Sequence, residues 1–331
     1  MGNTIKDVAR LAGVSVATVS RVLNNSATVS EETAQQVKNT IKELNYRPNF
    51  LGRNLRKRET HVILALIPST EHTYYSEILH GMQSKGSEFG YDILMSTTNS
   101  NLKTEMRLLE MISNRTVDGA VLMGTRLDKN MLCEMNQYNG VALCCETVEG
   151  SDILTVKIDN EAAAYDAVNC MISKGHKRIA MISTDVRASS SVEREKGYMR
   201  ALRDNGIEFN TDYLYQSSYD YINGSIAVEQ FMKLDKKPTA VFAISDFIAA
   251  GAVIGANKLG LNVGKDFAVM GFDNISMCEM FMPTISTVEQ PCFKIGEVVA
   301  ERLIENISGK FRNTGIVNLD HRLVLRQSTG D

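Results

Sequence analysis

Residues 4–24 run Thr4-Ile-Lys-Asp-Val-Ala-Arg-Leu-Ala-Gly-Val-Ser15, then Val16-Ala-Thr-Val-Ser-Arg-Val-Leu-Asn24. Ile5, Val8, Ala9 and Ala12 recur at helical spacing, Thr4 is a capping residue before them, and Asp7 falls in the first turn. Gly13-Val14 interrupts the stripe. Ser15 caps a second helix carrying Thr18, Val19, Val22 and Leu23, which ends at Asn24-Asn25-Ser26. Ser30 caps a third, with Ala34, Val37, Ile41 and Leu44 on one face as far as Asn45. Helix, glycine-containing turn, helix is the helix-turn-helix arrangement, whose second helix enters the major groove by its N-terminal end. Ser15, Val16, Ala17 and Thr18 are small enough for the backbone to approach base edges, and Arg21 one turn on can reach guanine O6 and N7 together. Ser30 and Thr33, at a helix start, suit phosphate positioning. Spacing alone also admits a three-helix bundle packed on another protein.

Charge separates this segment from the rest. The chain carries 36 basic and 39 acidic residues; the first sixty hold ten basic and five acidic, which leaves 26 and 34 for the remainder. A headpiece of +5 on a body of −8 suits one end to a polyanion and not the other. The whole is 331 residues, 44% hydrophobic and 23% charged, enough for about two domains and a small extra module. No run approaches the ~18 apolar residues of a membrane span, and the N-terminus lacks a secretory apolar region. A cytoplasmic protein with no membrane partner is expected. Cys133, Cys144, Cys145, Cys170, Cys278 and Cys292 form no C-x-x-C pair and have no histidine at zinc spacing, so reduced thiols and no metal are expected.

From residue 62 the period changes. Strand-like runs at Val62–Ile67, Ile93–Ser96, Val117–Met123, Val141–Cys144, Val156–Ile158, Ile179–Ser183, Ala240–Ile244 and Ala268–Gly271 alternate with helical patterns such as Ser76–Phe89, Glu161–Lys174 and Ser225–Leu234. This is the alternation of an α/β doubly wound parallel sheet, and it occurs twice, which predicts two lobes. Ligands bind beyond the carboxyl ends of such strands. The residues there are Tyr74 and Tyr75, Arg194 in an Arg-x-x-Gly pattern with Gly197, Tyr219, Asp246 and Asp273. Rings flanked by Asp and Arg can sandwich a polar ring and bond its hydroxyls, which predicts a sugar-like or nucleobase-like effector. Asp246 can equally cap the helix Phe247–Leu259. Nothing reads as catalytic: G-x-S-x-G, the P-loop, H-E-x-x-H and a post-strand G-x-G-x-x-G are all missing, so no enzyme and no cofactor are expected.

The quoted helices, with Leu44-Asn-Tyr-Arg-Pro-Asn49, resemble the LacI/GalR family of bacterial transcription regulators over an ungapped stretch. The likeness continues to the end of the chain through Pro238-Thr-Ala240, Gly271-Phe-Asp-Asn274 and Arg326-Gln-Ser-Thr329. It implies a two-lobed core like the periplasmic binding proteins, with an N-terminal all-α helix-turn-helix headpiece. The expected domains are a headpiece over 1–48, a hinge helix and linker over 49–60, and an effector-binding and dimerisation core over 61–331. Within that core, lobe one takes about 61–160 plus 290–320, and lobe two about 161–289 plus 321–331. The resemblance places Val16, Ala17 and Arg21 at base-reading positions. It places Ser15, Thr18, Asn24, Ser30, Thr33 and Tyr46 at backbone-contacting or supporting ones. Asn49 to Lys57 matches the hinge, where Leu55 would wedge into the minor groove beside Arg56. Gly52 stands where the family usually has alanine, a cost to a helix of about 1 kcal/mol. The cleft residues match effector positions, with Glu146 a looser addition. The implied partners are an operator duplex, a second copy of the chain and a small-molecule effector. Some members of the family instead use a serine-phosphorylated phosphocarrier protein as corepressor. In those members it docks on the helix that follows a Gln-Pro pair, which the resemblance places at Gln290-Pro291 here, through a tyrosine and an arginine eight residues on. Phe293 and Glu301 stand there, with Arg302 and Glu305 beside them, so a phosphoserine would meet carboxylates.

Overall fold

The computed structural model describes residues 3–23, 29–46, 59–137, 140–186 and 188–331. They form two compact units, Met1–Glu59 and Thr60–Asp331.

The first unit contains α1 (Ile5–Leu11), α2 (Val16–Leu23) and α3 (Glu31–Glu43). Each start is chemically marked. The Asp7 carboxylate accepts from the Thr4 amide at 2.9 Å and its hydroxyl at 2.7 Å. Ser15 Oγ accepts from the Thr18 amide at 3.1 Å, and Ser30 Oγ from the Thr33 amide at 3.3 Å. Gly13, at φ +61°, makes the turn between α1 and α2, a conformation in which a side chain is strained. Val8, Ala9, Ala12, Val19, Val22 and Val37 close the core.

The second unit has two sheets. Lobe one holds β1 (Val62–Ile67), α4 (Tyr74–Glu88), β2 (Asp92–Thr97), α5 (Leu102–Ser113), β3 (Gly119–Leu122), α6 (Lys129–Met135), β4 (Val141–Cys144) and β5 (Thr155–Ile158). The chain then enters lobe two with α7 (Asn160–Ser173), β6 (Ile179–Thr184), α8 (Ser189–Asp204), β7 (Leu214–Ser217), α9 (Tyr221–Phe231), β8 (Ala240–Ala243), α10 (Asp246–Lys258), β9 (Ala268–Asp273) and β10 (Ser286–Glu289). It returns to lobe one for α11 (Cys292–Ile307) and β11 (Ile316–Leu319), and finishes in lobe two with β12 (Arg322–Val324).

The strand orders are β11-β5-β4-β3-β1-β2 and β12-β10-β9-β8-β6-β7, all pairs parallel except β10 with β12. The pleat sorts β1 cleanly: Ile63, Ala65 and Ile67 pack with Ile78 and Met82 on one face, Leu64 and Leu66 with Leu108 and Leu109 on the other. The order of strands reverses at β1/β3 in one lobe and at β6/β8 in the other, so each lobe has a crevice at that point.

The apolar runs of the sequence coincide with β1, β4, β6, β8 and β9 to within a residue or two. Four strands escape that reading. β7 and β11 are half-exposed edge strands, and β12 is a three-residue edge paired only with β10. β10 is buried but polar: Ser286 Oγ donates to the Arg326 carbonyl at 2.9 Å and Thr287 Oγ1 to Asp246 Oδ1 at 2.5 Å. Its hydroxyls are satisfied internally, so hydrophobicity does not reveal it.

Candidate functional site

The headpiece presents one face of α2. Val19 and Val22 are buried, which turns Val16, Ala17 and Arg21 outward; Ala17 and Arg21, four apart, share a face. Ser15 is exposed and Thr18 half-buried, their hydroxyls 2.9 Å apart. Ser30 donates to Thr33 Oγ1 at 2.9 Å. Glu31 and Glu32 share the first turn of α3, so an anion arriving there meets two carboxylates as well as the helix amides. Tyr46 packs half-buried against the headpiece core. Asn24, Asn49, Leu55 and Arg56 lie outside the described residues, as does Gly52.

The second constellation is a cavity of about 310 Å³ between the lobes. Its walls come from the carboxyl ends of strands: His72, Tyr74 and Tyr75 after β1, Thr125 and Arg126 after β3, Cys145 and Glu146 after β4. Lobe two contributes Ser189, Ser190 and Arg194 of α8, Tyr219 after β7, Ile244 after β8 and Asp273 at the end of β9. Tyr74, Tyr75, Arg194, Tyr219 and Asp273 are thus brought together.

Arg194 is held before any ligand arrives. Its Nε donates to Asn160 Oδ1 at 2.9 Å and its Nη1 to the Ile244 carbonyl at 2.5 Å, and its guanidinium lies 3.6 Å over the Phe272 ring. Its Nη2 is 3.7 Å from Asp273 Oδ1, the same oxygen that accepts from Gln290 Nε2 at 2.8 Å. Asp273 adopts φ +117°, a backbone strain that turns its carboxylate into the crevice. Burial raises its pKa to about 6, with Arg194 pulling the other way. Tyr74 Oη is 2.9 Å from Cys145 Sγ and 3.2 Å from Gln290 Oε1. Burial raises the phenols of Tyr74, Tyr75 and Tyr219, so all three stay neutral donors at pH 7.

Asp246 does not line the cavity. It is fully buried behind Asp273, where it accepts from Thr287 Oγ1 and from the Ile275 amide at 2.9 Å. Burial and the Asp273 charge raise its pKa to about 7. It is not the helix cap either: Ser245 Oγ receives the Ile248 amide at 3.3 Å. A carboxyl directly after a strand looks like a ligand contact in sequence; here it braces the loop that carries Asp273.

Sequence reading gave Glu146 a loose place and passed over its partners. Glu146, from lobe one, accepts from Ser189 Oγ at 2.5 Å, from the Ser190 amide at 3.0 Å and from Ser190 Oγ, so it caps α8 from the opposite lobe. Lys157 of β5 reaches Glu193 of α8 at 2.5 Å, a second interlobe tie. His72 on the β1–α4 loop touches Tyr219 edge-on at 4.7 Å. Only the serine triplet at 189–191 before a helical pattern, a helix start without its own side-chain cap, carried a signal for any of these.

The remaining candidate face is on α11. Phe293 is half-exposed, edge-on to His80 at 5.1 Å. Arg302 Nη1 donates to Asn313 Oδ1 at 3.0 Å and lies 3.8 Å from Glu305; Glu305 also accepts from Asn313 Nδ2 at 2.9 Å. Glu301 and Glu297 both act on Lys85 of α4, whose pKa is raised chiefly by its hydrogen bond to Glu88.

Residues 4–49 match the family of bacterial regulatory proteins, lacI family, and residues 60–323 the periplasmic binding proteins and sugar binding domain of the LacI family. Catabolite control protein A of Priestia megaterium is 35% identical, over 99% of this chain and 100% of its own. The HTH-type transcriptional repressor CytR of Escherichia coli K12 is 34% identical, over 98% of this chain and 96% of its own. The Lac repressor dimer bound to operator and the anti-inducer ONPF shares the fold, with a TM-score of 0.90, 24% identity and 99% of both chains covered.

Proposed function

The chain belongs to the LacI family of bacterial regulatory proteins, and from that membership we propose a homodimeric transcription regulator, acting as a repressor in the cytoplasm. Its affinity for an operator duplex is set by a small molecule, sugar-like or nucleobase-like, in the interlobe cleft. The observation that carries this is the pairing in one chain of an exposed Ala17/Arg21 helix face with a cleft whose Arg194 and Asp273 are locked in place. The headpiece is assigned to 1–48, the hinge to 49–60 and the effector core to 61–331.

Val16, Ala17 and Arg21 read bases, while Ser15, Thr18, Asn24, Ser30, Thr33, Tyr46 and Asn49 position or support the headpiece on the backbone. Leu55 and Arg56 enter the minor groove. In the cleft, Arg194 and Asp273 bond ligand hydroxyls, Tyr74, Tyr75 and Tyr219 pack its ring, and Glu146 reports its arrival by exchanging α8 for the ligand. The mechanism is linkage rather than chemistry: a ligand that prefers one lobe arrangement shifts the population of that arrangement and with it the operator affinity. Dimerisation is supported by apolar side chains left outside, Leu94 and Met95 on edge strand β2, and Tyr221, Ile222 and Ile226 on α9.

The test uses an operator recovered by selection from random duplexes, titrated with and without sugars and nucleosides. A ligand-dependent shift of operator affinity that Arg194→Ala removes is the expected result. No shift with any ligand, or a shift unaffected by Arg194→Ala, contradicts the cleft assignment.

A further inference from the structure

The core unit opens at Thr60, and its first two residues are gripped by one carboxylate. Asp118 Oδ1 accepts from the Thr60 amide at 2.7 Å and from its hydroxyl at 2.8 Å, while Oδ2 accepts from the His61 amide at 2.8 Å. The Thr60 hydroxyl in turn accepts from the amide of Val62, the first residue of β1, at 3.3 Å. Charge-assisted bonds to both oxygens of one carboxylate fix orientation as well as position. His61 is also held from its other side. Its carbonyl accepts from the Asp92 amide at 2.9 Å, and its ring lies edge-on to Tyr91 at 5.0 Å. Its φ is +56°, a conformation that a residue other than glycine keeps where its surroundings over-determine it.

Asp118 stands on a firm base. Its amide donates to the Val62 carbonyl at 2.8 Å, and it immediately precedes β3, the strand between β1 and β4. A Cβ on the next residue, Gly119, would lie 2.8 Å from both the Gly140 carbonyl oxygen and Ile307 Cδ1, so this end of β3 is packed without slack. β1 is already paired along its length, with β2 from Val62 and with β3 from Ile63. A side-chain grip on the two residues before it adds no strand pairing; it fixes where the preceding chain joins the core.

From this grip of one carboxylate on the residues that open the core, we infer that Asp118 is a positioning residue for operator binding, fixing the origin and direction of the tether that carries each headpiece. The inference rests on the proposed regulator function. In a dimer the second headpiece reaches its half-site as a tethered partner, at an effective concentration set by the tether. Fixed origins concentrate it at one half-site separation and lower the ordering cost of binding; loosened origins spread it over several. Asp118 acts through the tether and not by touching DNA.

Full-length wild type and Asp118→Asn, each put through selection from duplexes whose half-sites are separated by a randomised number of base pairs, test it. Both are then titrated on the wild-type operator and on a random duplex. Asparagine keeps the shape and one acceptor but turns an amide NH2 against the His61 N–H. Wild type is expected to recover one spacing and Asp118→Asn a spread of them. The variant's affinity for the wild-type operator falls by about ten-fold or more, while that for the random duplex stays within about two-fold. Thr60→Val, which removes the hydroxyl and leaves Asp118 in place, gives a second reading that does not require Asp118→Asn to fold: a smaller loss on the operator alone, with Thr60→Ser close to wild type. An unchanged spacing preference in Asp118→Asn overturns the inference. Equal losses on operator and random duplex do so too, since they mark a residue that only stabilises the core. If Asp118→Asn does not fold, Thr60→Val matching Thr60→Ser overturns it. Failure of the regulator reading shows separately, as a wild type that recovers no operator, and it removes this inference as well.

Discussion

Arg21 is the long donor on the outward face of α2, four residues from Ala17. Replacing it with alanine is expected to cost roughly 1–3 kcal/mol at one base pair per half-site and to relax specificity there. Competition against all four bases at each operator position checks this; an unchanged preference rejects the assignment. A second residue-scale prediction concerns Asp246. Its pKa is raised from 3.8 to about 7 by burial and by the Asp273 charge, and that of Asp273 to about 6 by burial. The folded state therefore holds protons that the unfolded state releases between about pH 4 and 7. Their contribution to stability is fully present below that window and is lost as pH rises through it. Asp246→Asn removes one of the titrations, so the melting temperature of wild type minus that of the variant should fall from pH 5 to pH 8. A difference that is constant or grows with pH contradicts the reading. The cleft was legible as far as single residues following strands can be: Tyr74, Tyr75, Arg194, Tyr219 and Asp273 do meet. Asp246 was misread because position after a strand does not reveal which way a side chain turns, and His72 was passed over because a histidine packed on rings leaves no spacing signature.

At the scale of elements, α4 and α11 touch backbone to backbone. A Cβ on Gly81 would lie 2.0 Å from the Phe293 carbonyl oxygen, and one on Gly296 2.0 Å from that of Ile78. Gly81→Ala or Gly296→Ala must push the helices apart, at a cost of about 1–3 kcal/mol or more, visible as a lower melting temperature; wild-type stability in both would show that the approach is not tight. The same pair displays Phe293. Around it Glu301 and Glu297 face Lys85, and Arg302 is engaged by Asn313 and Glu305. A phosphoserine brought to this face of α11 would meet the carboxylates of Glu301 and Glu305, so a serine-phosphorylated phosphocarrier protein should bind weakly or not at all. Surface plasmon resonance on operator-bound protein decides it: micromolar or tighter, phosphate-dependent binding would favour a catabolite-control regulator with this carrier as corepressor. Helix starts were the most readable elements, because Thr4, Ser15 and Ser30 announce them chemically. Polar β10 and edge strands β7, β11 and β12 were not, because their stability comes from pairing and from internal hydroxyl bonds rather than from an apolar run.

For the whole molecule, the arrangement is one of opposed demands. A headpiece of +5 meets the polyanion, while a body of −8 does not compete for it. The body supplies the two lobes, tied across the cleft by Glu146 with Ser189 and Ser190 and by Lys157 with Glu193. Under the proposed function, a ligand acts by rearranging those ties, and in a dimer the change would reach the two headpieces on one operator. Gly52 bears on the same link: if residues 49–57 become helical on DNA, Gly52→Ala should tighten operator binding by up to about 1 kcal/mol, measured by the same titration. The central claim, that this chain is an operator-binding regulator, is tested most directly by the salt dependence of binding to a selected operator, read by fluorescence anisotropy with the full chain. Two headpieces neutralising several phosphates each predict that log affinity falls against log salt with a slope of roughly −5 or steeper. A slope of only about −1 to −2, or no sequence recovered by selection, would contradict it.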